Sequence, residues 1–352
     1  MTKRERALAA LQRRQPDRTP RHIRFSPPML ERFRERTGAD DPETYYDLEL
    51  TYATGPDQAA PRDDALTVFA PYLPDLPPGT TVDAFGRAFV PGGFYHFTRI
   101  VHPLREMKYA AELDDYPWPA WPDEPSNALR AQVRKLREED RLVVGGGGSI
   151  WEIAWQMRGM ERLFLDMAEN EPFAARVLDG ITGAWCRTVR ALAAAGVDML
   201  RIVDDVGMQD RMLMSPAMWR AWLKPRLARL IQAARDINPV VFIQYHSDGW
   251  IEPIIEDLIE VGVDLLDPVQ PECMDPVRIK QRFGDRLAFF GTMGTQSTFP
   301  FATPEELARV VRERVETVGA GGGLIIAPTH VLEPDVPWEN VEAFLEAVAK
   351  YD

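Results

Sequence analysis

From about residue 125 to the C terminus, short β-branched or glycine-flanked runs alternate with helical stretches of about 10 to 20 residues. This alternation is typical of βα units, in which helices join parallel strands. Six strands are predicted in this part, at residues 141–146, 197–204, 239–246, 263–268, 286–291 and 322–328. Another is predicted at residues 19–25 (TPRHIRF), and an eighth is expected between residues 45 and 72, with ALTVFAPYL (65–73) as the candidate. The sequence therefore favours an α/β fold of the (β/α)8 TIM barrel type.

Residues that begin and end helices support these boundaries. Ser215 and Thr303 each precede a proline and are suited to be N-caps, and Gly196 and Gly262 are suited to end helices. A doubly wound open sheet alternates strands and helices in the same way, but it would carry a glycine fingerprint at its first strand-to-helix turn. The run Gly145–Gly148 follows a middle strand and lacks the GxGxxG spacing. The barrel is therefore favoured.

Residues 40–125 form a less regular region that is rich in proline. Within it, residues 83–101 (DAFGRAFVPGGFYHFTRIV) predict a β-hairpin, in which Tyr95 and His96 are expected to be structural or lid residues. We expect this region to be an N-terminal lid or insertion in a single barrel domain that comprises residues 1–352.

The charge balance and the cysteine content narrow the choice of partners. The chain has 41 Lys and Arg against 54 Asp and Glu, so we expect no nucleic-acid partner, because such proteins present basic surfaces. Cys186 and Cys273 lack the paired spacing of a disulfide framework or a cysteine-rich zinc site. The sequence has neither a signal-peptide pattern nor an apolar run that approaches about 18 residues. We therefore predict a cytoplasmic protein with no membrane partner.

Polar side chains follow the predicted late strands, where a parallel barrel carries its active site. His246 and Asp248 are two residues apart on an extended segment, so their side chains point the same way. His330 follows the last predicted strand, and Glu272 follows the strand predicted at residues 263–268. We predict that His246, Asp248 and His330 hold zinc or another divalent ion, with Glu272 as a further ligand. The alternative is that each histidine only forms hydrogen bonds in a polar barrel mouth.

Other strand-end residues are candidates for catalysis and substrate binding. Asp204 and Asp205 are adjacent, so only one faces the barrel mouth if the strand continues, and that one is a candidate acid or base. The alternative role is a helix cap or a loop ion pair. His330 is a second candidate catalytic residue. Substrate contacts are expected from four residues, namely Arg24, which is suited to bind a carboxylate, and Gln209, Tyr245 and Gln270.

Several long motifs resemble the uroporphyrinogen decarboxylase-like superfamily over roughly residues 140–350. They are VDMLRIVDDVGMQD, MSPAMWRAWLKPRL, the segment from YHSDGW to GTMGTQ, and GGGLIIAPTHVLEPDVPWENVEAF. The resemblance implies a (β/α)8 barrel and an enzyme of one of two kinds. One kind comprises cofactor-free porphyrinogen decarboxylases, and the other comprises zinc-dependent methyltransferases that move methyl groups between corrinoid proteins and thiols or folates.

Departures from the family patterns bear on this choice. The decarboxylases carry an arginine-rich RQAGRY segment near the N terminus, where this chain reads RHIRFSPPMLERF and only Arg24 corresponds. The methyltransferases hold zinc with a His-x-Cys segment and a later cysteine. Here these positions are occupied by His246, Asp248 and His330, a harder set of ligands.

Three functions follow as hypotheses. The first is a metal-dependent transferase of a methyl or similar one-carbon group from a small-molecule substrate, with a corrinoid protein, thiol or folate as the other partner. The second is metal-free decarboxylation of a carboxylic acid, with His330 or Asp205 as proton donor and Arg24 as carboxylate ligand. The third is a corrinoid- or tetrapyrrole-binding protein without catalysis. Where a corrinoid takes part, it is expected to arrive on a separate protein.

Overall fold

The structure is a computed structural model that describes residues 1–53, 64–73, 75–92 and 99–351. Tyr95 and His96 lie outside the described residues. The strands are β1 (Leu50–Ala53), β2 (Thr81–Val82), β3 (Ala88–Val90), β4 (Arg99–Val101), β5 (Leu142–Gly148), β6 (Met199–Val203), β7 (Phe242–His246), β8 (Leu265–Asp267), β9 (Ala288–Met293) and β10 (Leu324–Pro328).

The helices follow in chain order. They are α1 (Lys3–Leu11), α2 (Pro27–Thr37), α3 (Pro42–Tyr45), α4 (Ala65–Val68), α5 (Asn127–Glu138), α6 (Trp151–Arg158), α7 (Met160–Glu169), α8 (Glu171–Ala195), α9 (Pro216–Trp222), α10 (Lys224–Arg235), α11 (Ile255–Val261), α12 (Pro276–Phe283), α13 (Thr298–Phe301), α14 (Pro304–Thr317) and α15 (Trp338–Lys350). The predicted helix boundaries are confirmed: Ser215 caps α9, Thr303 forms a capping box on α14, and Gly196 and Gly262 end α8 and α11 in the left-handed conformation.

Seven parallel strands form one curved sheet in the order β1-β5-β6-β7-β8-β9-β10. The six strands predicted from residue 141 onward are all present, and each pairs with its sequence neighbour. Helices connect these strands, as right-handed βα units require. The predicted α/β TIM-barrel fold is therefore confirmed.

The predicted first strand, residues 19–25, is an extended segment that lies parallel to β10. It forms isolated bridges there, from Arg21 to Ile326 and from Phe25 to Leu332. Its backbone is hydrogen-bonded to the same neighbours, since His22 donates to the Ile326 carbonyl at 3.0 Å and Ile326 donates to the Pro20 carbonyl at 2.9 Å. The segment therefore occupies the position of the eighth strand of the barrel.

The candidate for the remaining strand, ALTVFAPYL, is wrong. Residues 65–68 form helix α4 and residues 70–72 a 3-10 turn, whereas the strand in this region is β1. Ala65 and Phe69 are buried while Leu66 is 57% exposed. Two buried residues that are four apart match the period of a helix. This spacing outweighs the β-branched residues that suggested a strand.

The predicted hairpin, residues 83–101, contains β3 and β4, and β2 joins them in a three-stranded antiparallel sheet in the order β2-β3-β4. Ala88 pairs with Val101 and Val90 pairs with Arg99, which confirms two antiparallel strands flanking residues 91–98. None of the helices in the described part of the chain combines the length and the apolar character needed to cross a bilayer.

Alternation along the strands divides the apolar core into two layers. One cluster inside the barrel joins Met199, Leu265, Phe290 and their neighbours to Ala7 and Leu11 of α1, which covers the N-terminal end of the barrel. The other cluster lies between the sheet and the outer helices. Because the barrel is filled and covered at its N-terminal end, the space for a ligand lies at the C-terminal ends of the strands.

Candidate functional site

A layer of polar side chains lies on the inner face of the barrel near the ends of β6, β7 and β8. Asp267 Oδ2 accepts hydrogen bonds from Arg201 Nε at 3.0 Å and from Gln244 Nε2 at 2.8 Å. The same oxygen lies 2.9 Å from His246 Nδ1. These residues occupy alternate positions on their strands, so the strand period directs them all into the barrel.

The charges in this layer stabilise one another. Burial opposes ionisation of Asp267, but His246 and Arg201 outweigh burial and hold the pKa of Asp267 well below its usual range. Burial also disfavours the charged imidazole, and Asp267 more than compensates, so the pKa of His246 is raised. An ionised carboxylate beside Nδ1 favours a proton on that nitrogen. His246 Nε2 is then the atom that faces the neighbouring carboxylates.

Two of these carboxylates complete a cluster with His246. His246 Nε2 lies 3.8 Å from Asp205 Oδ1 and 3.8 Å from Asp248 Oδ1. One ligand atom from each of the three residues lies within 4.8 Å of the others. Burial raises the pKa of Asp248, Asp205 raises it further, and His246 opposes both. Two carboxylates that come this close to one another and to an imidazole favour a shared cation.

The donor set and spacing of this cluster fit a divalent metal ion. One imidazole nitrogen and two carboxylate oxygens are ligands that zinc, iron, manganese and cobalt accept. At about 2.1 Å from a tetrahedral ion, two ligand atoms lie about 3.4 Å apart. The separations of 3.8 Å from His246 Nε2 therefore require only a small closure of the cluster around an ion. Asp267 on the far nitrogen of His246 is the carboxylate–histidine arrangement that orients metal-binding histidines.

The loop that carries Asp248 is held by groups from two other loops. The Asp248 N–H donates to Asp205 Oδ1 at 2.9 Å, and the Gly249 N–H donates to Gln270 Oε1 at 3.0 Å. Gly249 has a φ of 82°, and a Cβ atom on Gly207 would lie 2.3 Å from the Asp248 carbonyl oxygen. Glycine at these two positions therefore allows the loops after β6 and β7 to cross in contact.

Two cavities meet at this cluster. The barrel cavity, about 340 Å³, is lined by His22, Tyr52, Arg201, Asp205, His246 and Phe290 among others. The rim cavity, about 400 Å³, is lined by loop residues that include Gln209, Asp248, Gln270, Gln296, Glu333 and Asp335. Thr329, His330 and Val331 line both. The three cluster residues therefore lie along the boundary between the cavities, with Asp248 on the rim side and the other two on the barrel side.

The predicted ligand set is partly brought together. His246 and Asp248 belong to the cluster, but the third member of the group found among the described residues is Asp205 rather than His330. His330 is exposed and lines both cavities. Glu272 accepts hydrogen bonds from Ser297 Oγ at 2.6 Å and from the Gln296 N–H at 3.3 Å, so its carboxylate fixes the loop after β9.

The predicted substrate-binding residues divide between the cavities and the core. Arg24 lines the barrel cavity, with its guanidinium 5.5 Å from the centre of the Tyr52 ring. Gln209 and Gln270 line the rim cavity. Tyr245 is buried in the cluster outside the barrel, and its hydroxyl donates to the Asp204 carbonyl at 3.4 Å. The strand period that directs His246 inward directs Tyr245 outward.

Asp204 and Asp205 lie on opposite sides of the strand end. Asp204 is 3% exposed, and its Oδ1 accepts hydrogen bonds from Ser149 Oγ (2.7 Å) and from the N–H groups of Ile150 (2.8 Å) and Trp151 (2.7 Å). Burial raises the pKa of Asp204 to about 7, although these hydrogen bonds act in the opposite direction. Asp204 therefore anchors the start of α6, while Asp205 lines the barrel cavity.

Glu152 is a site residue that the sequence reasoning missed. It lies in the first turn of α6 and lines the barrel cavity. Burial, followed by the charges of Asp205 and Asp204, raises the pKa of Glu152 to about 8. A usable signal was present, since Glu152 follows the glycine run at the end of β5 and therefore lies at the C-terminal face of the barrel.

Comparisons with known proteins agree with this architecture. The family model for uroporphyrinogen decarboxylase (URO-D) matches residues 99–351. A uroporphyrinogen decarboxylase of Thermus thermophilus is 27% identical over 263 residues, which cover 71% of this chain and 71% of that protein. Methylcobamide:CoM methyltransferase MtaA of Methanosarcina barkeri is 27% identical over 227 residues, which cover 64% of this chain and 63% of that protein.

A solved structure extends the likeness to the whole fold. A methyltransferase from Methanosarcina mazei matches with a TM-score of 0.69 and 21% identity, over 100% of this chain and 99% of that chain. The sequence relatives are decarboxylases and a methyltransferase, in agreement with the predicted enzyme class. Because the family model covers more than half of the sequence, the chain belongs to the uroporphyrinogen decarboxylase family.

Proposed function

We propose that this protein is a metal-dependent transferase that moves a methyl or similar one-carbon group between a small molecule and a second partner. The observation that carries this proposal is the position of the Asp205–His246–Asp248 cluster at the boundary between two cavities. A transferase must bring two reactants to one centre. The barrel cavity is the site for the small molecule, and the rim cavity faces the second partner.

Asp205, His246 and Asp248 would hold the ion, and zinc is our first choice. When bound, the ion supplies a Lewis acid that polarises an oxygen or lowers the pKa of a thiol. Asp267 would support this role of His246 electrostatically, because its carboxylate lies 2.9 Å from Nδ1. Asp205 also holds the Asp248 N–H, so it supports the third ligand through the backbone.

Glu152 is suited to proton transfer in this cavity. Burial is the largest cause of the raised pKa of Glu152, so its side chain is able to hold a proton and to donate it to an oxygen that departs as an anion. His330 is exposed at the junction of the cavities, where it is able to contact either reactant. A corrinoid protein is our proposed second partner, supported by the methylcobamide-dependent relative.

Decarboxylation of a small carboxylic acid is the second candidate function. Protonated Glu152 favours it, because a carbanion left by loss of carbon dioxide requires a proton donor. Arg24 lines the barrel cavity and would bind the substrate carboxylate. The cavity also contains Glu152, Asp205 and Asp267, which makes it a poor match for a tetrapyrrole with several carboxylates.

Metal binding separates these candidates. We expect protein purified without chelator to contain about one divalent ion per chain by elemental analysis, and His246→Ala to lose it. His330→Ala is the matched control, since it removes an imidazole from the same cavities but not from the cluster, and it should retain the ion. A metal-free wild type that releases carbon dioxide from a carboxylic acid in the presence of chelator would instead support the decarboxylase.

A further inference from the structure

His22 is a buried polar residue to which neither function above gives a role. It lies on the extended segment beside β10 and lines the barrel cavity, with 1% of its surface exposed. Among the described residues, neither of its ring nitrogens has a hydrogen-bond partner. Burial, with Arg24 and Arg201 acting in the same direction and Asp267 opposing them, lowers the pKa of His22 to about 3. The imidazole is therefore neutral, with one donor and one acceptor.

The surroundings of His22 are aromatic. Its ring centre lies 5.6 Å from that of Tyr52 and 5.9 Å from that of Phe290, with interplanar angles of 49° and 53°. Both neighbouring rings also line the barrel cavity. We call His22, Tyr52 and Phe290 the aromatic end of this cavity. Aromatic rings that line one end of a cavity favour a planar ligand, because such a ligand packs edge-to-face or offset against them.

The aromatic end offers little to an anionic group. Arg201 donates a hydrogen bond to Asp267 at 3.0 Å and is therefore already paired with a carboxylate. Arg24 has its guanidinium 5.5 Å from the centre of the Tyr52 ring, but it is exposed, so water weakens its attraction for an anion. The polar groups that remain at the aromatic end are the neutral imidazole and the Tyr52 phenol. These groups match an uncharged oxygen or nitrogen on the ligand.

A buried imidazole without partners is costly in a folded protein, because each donor or acceptor has lost its hydrogen bonds to water. An apolar ring of similar size would avoid this cost. The terminal torsion of histidine is soft, so a small rotation of the ring presents a nitrogen to a molecule in the cavity. A ligand that supplies the missing hydrogen bond therefore gains affinity.

We propose that His22 is a substrate-binding residue, and that the aromatic end of the barrel cavity takes a planar, uncharged ring that carries a hydroxyl group. The imidazole of His22 forms a hydrogen bond with that hydroxyl oxygen. This inference deepens the proposed function and rests on it in one respect, namely that the barrel cavity is taken as the site of the small molecule.

The test compares three probes, phenol, toluene and benzoate, for binding to the full chain by titration calorimetry. Phenol and toluene share a ring and differ in the hydroxyl, whereas benzoate is charged. We expect wild type to prefer phenol to both others. His22→Phe should weaken phenol binding about fivefold to tenfold, the range for one hydrogen bond, and leave toluene within about twofold. His22→Gln should recover part of the phenol affinity.

Thermal unfolding provides a second readout. A ligand-binding role predicts that His22→Phe is at least as stable as wild type, because it removes an unpaired polar ring. If the role is structural, the variant melts at a lower temperature and its preference for phenol over toluene is unchanged. That result would overturn the inference, and so would the absence of a phenol preference in wild type. If His22→Phe fails to fold, the ¹⁵N shifts of the histidine rings in wild type decide, since phenol should move those of His22.

The same experiment distinguishes failure of the metal proposal from failure of the proposed role of His22. The probes are titrated into His246→Ala and into wild type treated with chelator. Phenol binding that persists in both, together with no bound ion in untreated wild type, would reject the metal-dependent function and retain the role of His22. Bound metal without a phenol preference would do the reverse.

Discussion

Asp267 Oδ2 lies 2.9 Å from His246 Nδ1, on the inner face of the barrel, and holds the imidazole between one carboxylate behind it and two in front. The same oxygen accepts hydrogen bonds from Arg201 on β6 and Gln244 on β7, so Asp267 is itself held in place beside His246. A carboxylate in this position both selects the tautomer and makes the free nitrogen a stronger ligand.

The first prediction concerns this pair. Asp267→Asn should lower the affinity for zinc about 10-fold to 100-fold, because the amide no longer supplies a negative charge behind His246. Competition with a fluorescent zinc chelator measures the change. Asp285→Asn, on a side chain that is 77% exposed, is the matched control and should bind zinc as wild type does. Equal zinc affinity in the two variants would show that Asp267 has no influence on a metal.

The second prediction concerns the identity of the ion. The methyltransferases that this chain resembles carry cysteine where it has Asp248. Asp248→Cys should raise the preference for zinc over manganese, since thiolate is a softer ligand than carboxylate. Cobalt-loaded protein provides a direct check, because a thiolate–cobalt charge-transfer band should appear in Asp248→Cys and not in Asp248→Asn. A cobalt spectrum without that band would place residue 248 outside the ligand set.

The third prediction separates the adjacent carboxylates. Asp204→Ala should lower the free energy of unfolding by about 1 to 3 kcal/mol, because it leaves the buried N–H groups at the start of α6 without their acceptor. Asp205→Ala should cost less stability than Asp204→Ala, since it removes the acceptor of one N–H group, that of Asp248, from a side chain that is 41% exposed. It should abolish metal binding, because Asp205 belongs to the cluster. Urea unfolding and metal analysis of both variants test the division, and a reversal of the two phenotypes would contradict it.

The fourth prediction is a pH dependence caused by Glu152. Its folded-state pKa of about 8 lies above the ordinary value of 4.5, so the folded state binds a proton that the unfolded state has lost. Stability from this group is complete below the ordinary pKa and disappears as the pH rises through about 8. In chelator-treated protein, Glu152→Gln should therefore gain stability over wild type, on the order of a few kcal/mol, at about pH 9 relative to about pH 5.

Chemical denaturation at a series of pH values measures this effect. Glu169→Gln is a suitable control, because it makes the same chemical change at the end of α7 and leaves all the carboxylates of the barrel cavity in place. If the difference between wild type and Glu152→Gln has the same size at both pH values, the pKa of Glu152 is not raised in the folded protein.

The barrel was largely predictable from local pattern, because each late strand is a short apolar run bounded by a turn and a capped helix. Thr303 and Gly262 illustrate this, since both residues act within one turn of the chain and need no tertiary information. The strand β1 lies within the predicted range 45–72, but the candidate segment was wrong, because the four residues of β1 lack a distinctive pattern and the nearby apolar run 65–73 is longer. That run is helical and buries Ala65 and Phe69 on one face. Its tertiary contacts, rather than its composition, decide that it forms a helix and not a strand.

The site was predictable as far as strand ends determine it. His246 and Asp248 come together because they are close in sequence, and Asp205 joins them from the neighbouring parallel strand, where Val203 pairs with His246. The choice of Asp205 over His330 depends on loop geometry, which has no signature in a single sequence. The role of Asp204 as the anchor of α6 was equally unpredictable, since its partners at 149–151 are more than fifty residues earlier in the chain.

The crossed loops at Gly207 and Gly249 have an evolutionary consequence. The backbone around residue 248 is held by the side chains of Asp205 and Gln270 and by the Met208 carbonyl, which accepts from the Trp250 N–H at 2.7 Å. None of these bonds involves the side chain of residue 248. A single codon change at this position would therefore alter the side chain that the cluster presents without rebuilding the loop, so a lineage on this scaffold has a short mutational path to a different chemistry at the boundary between the two cavities.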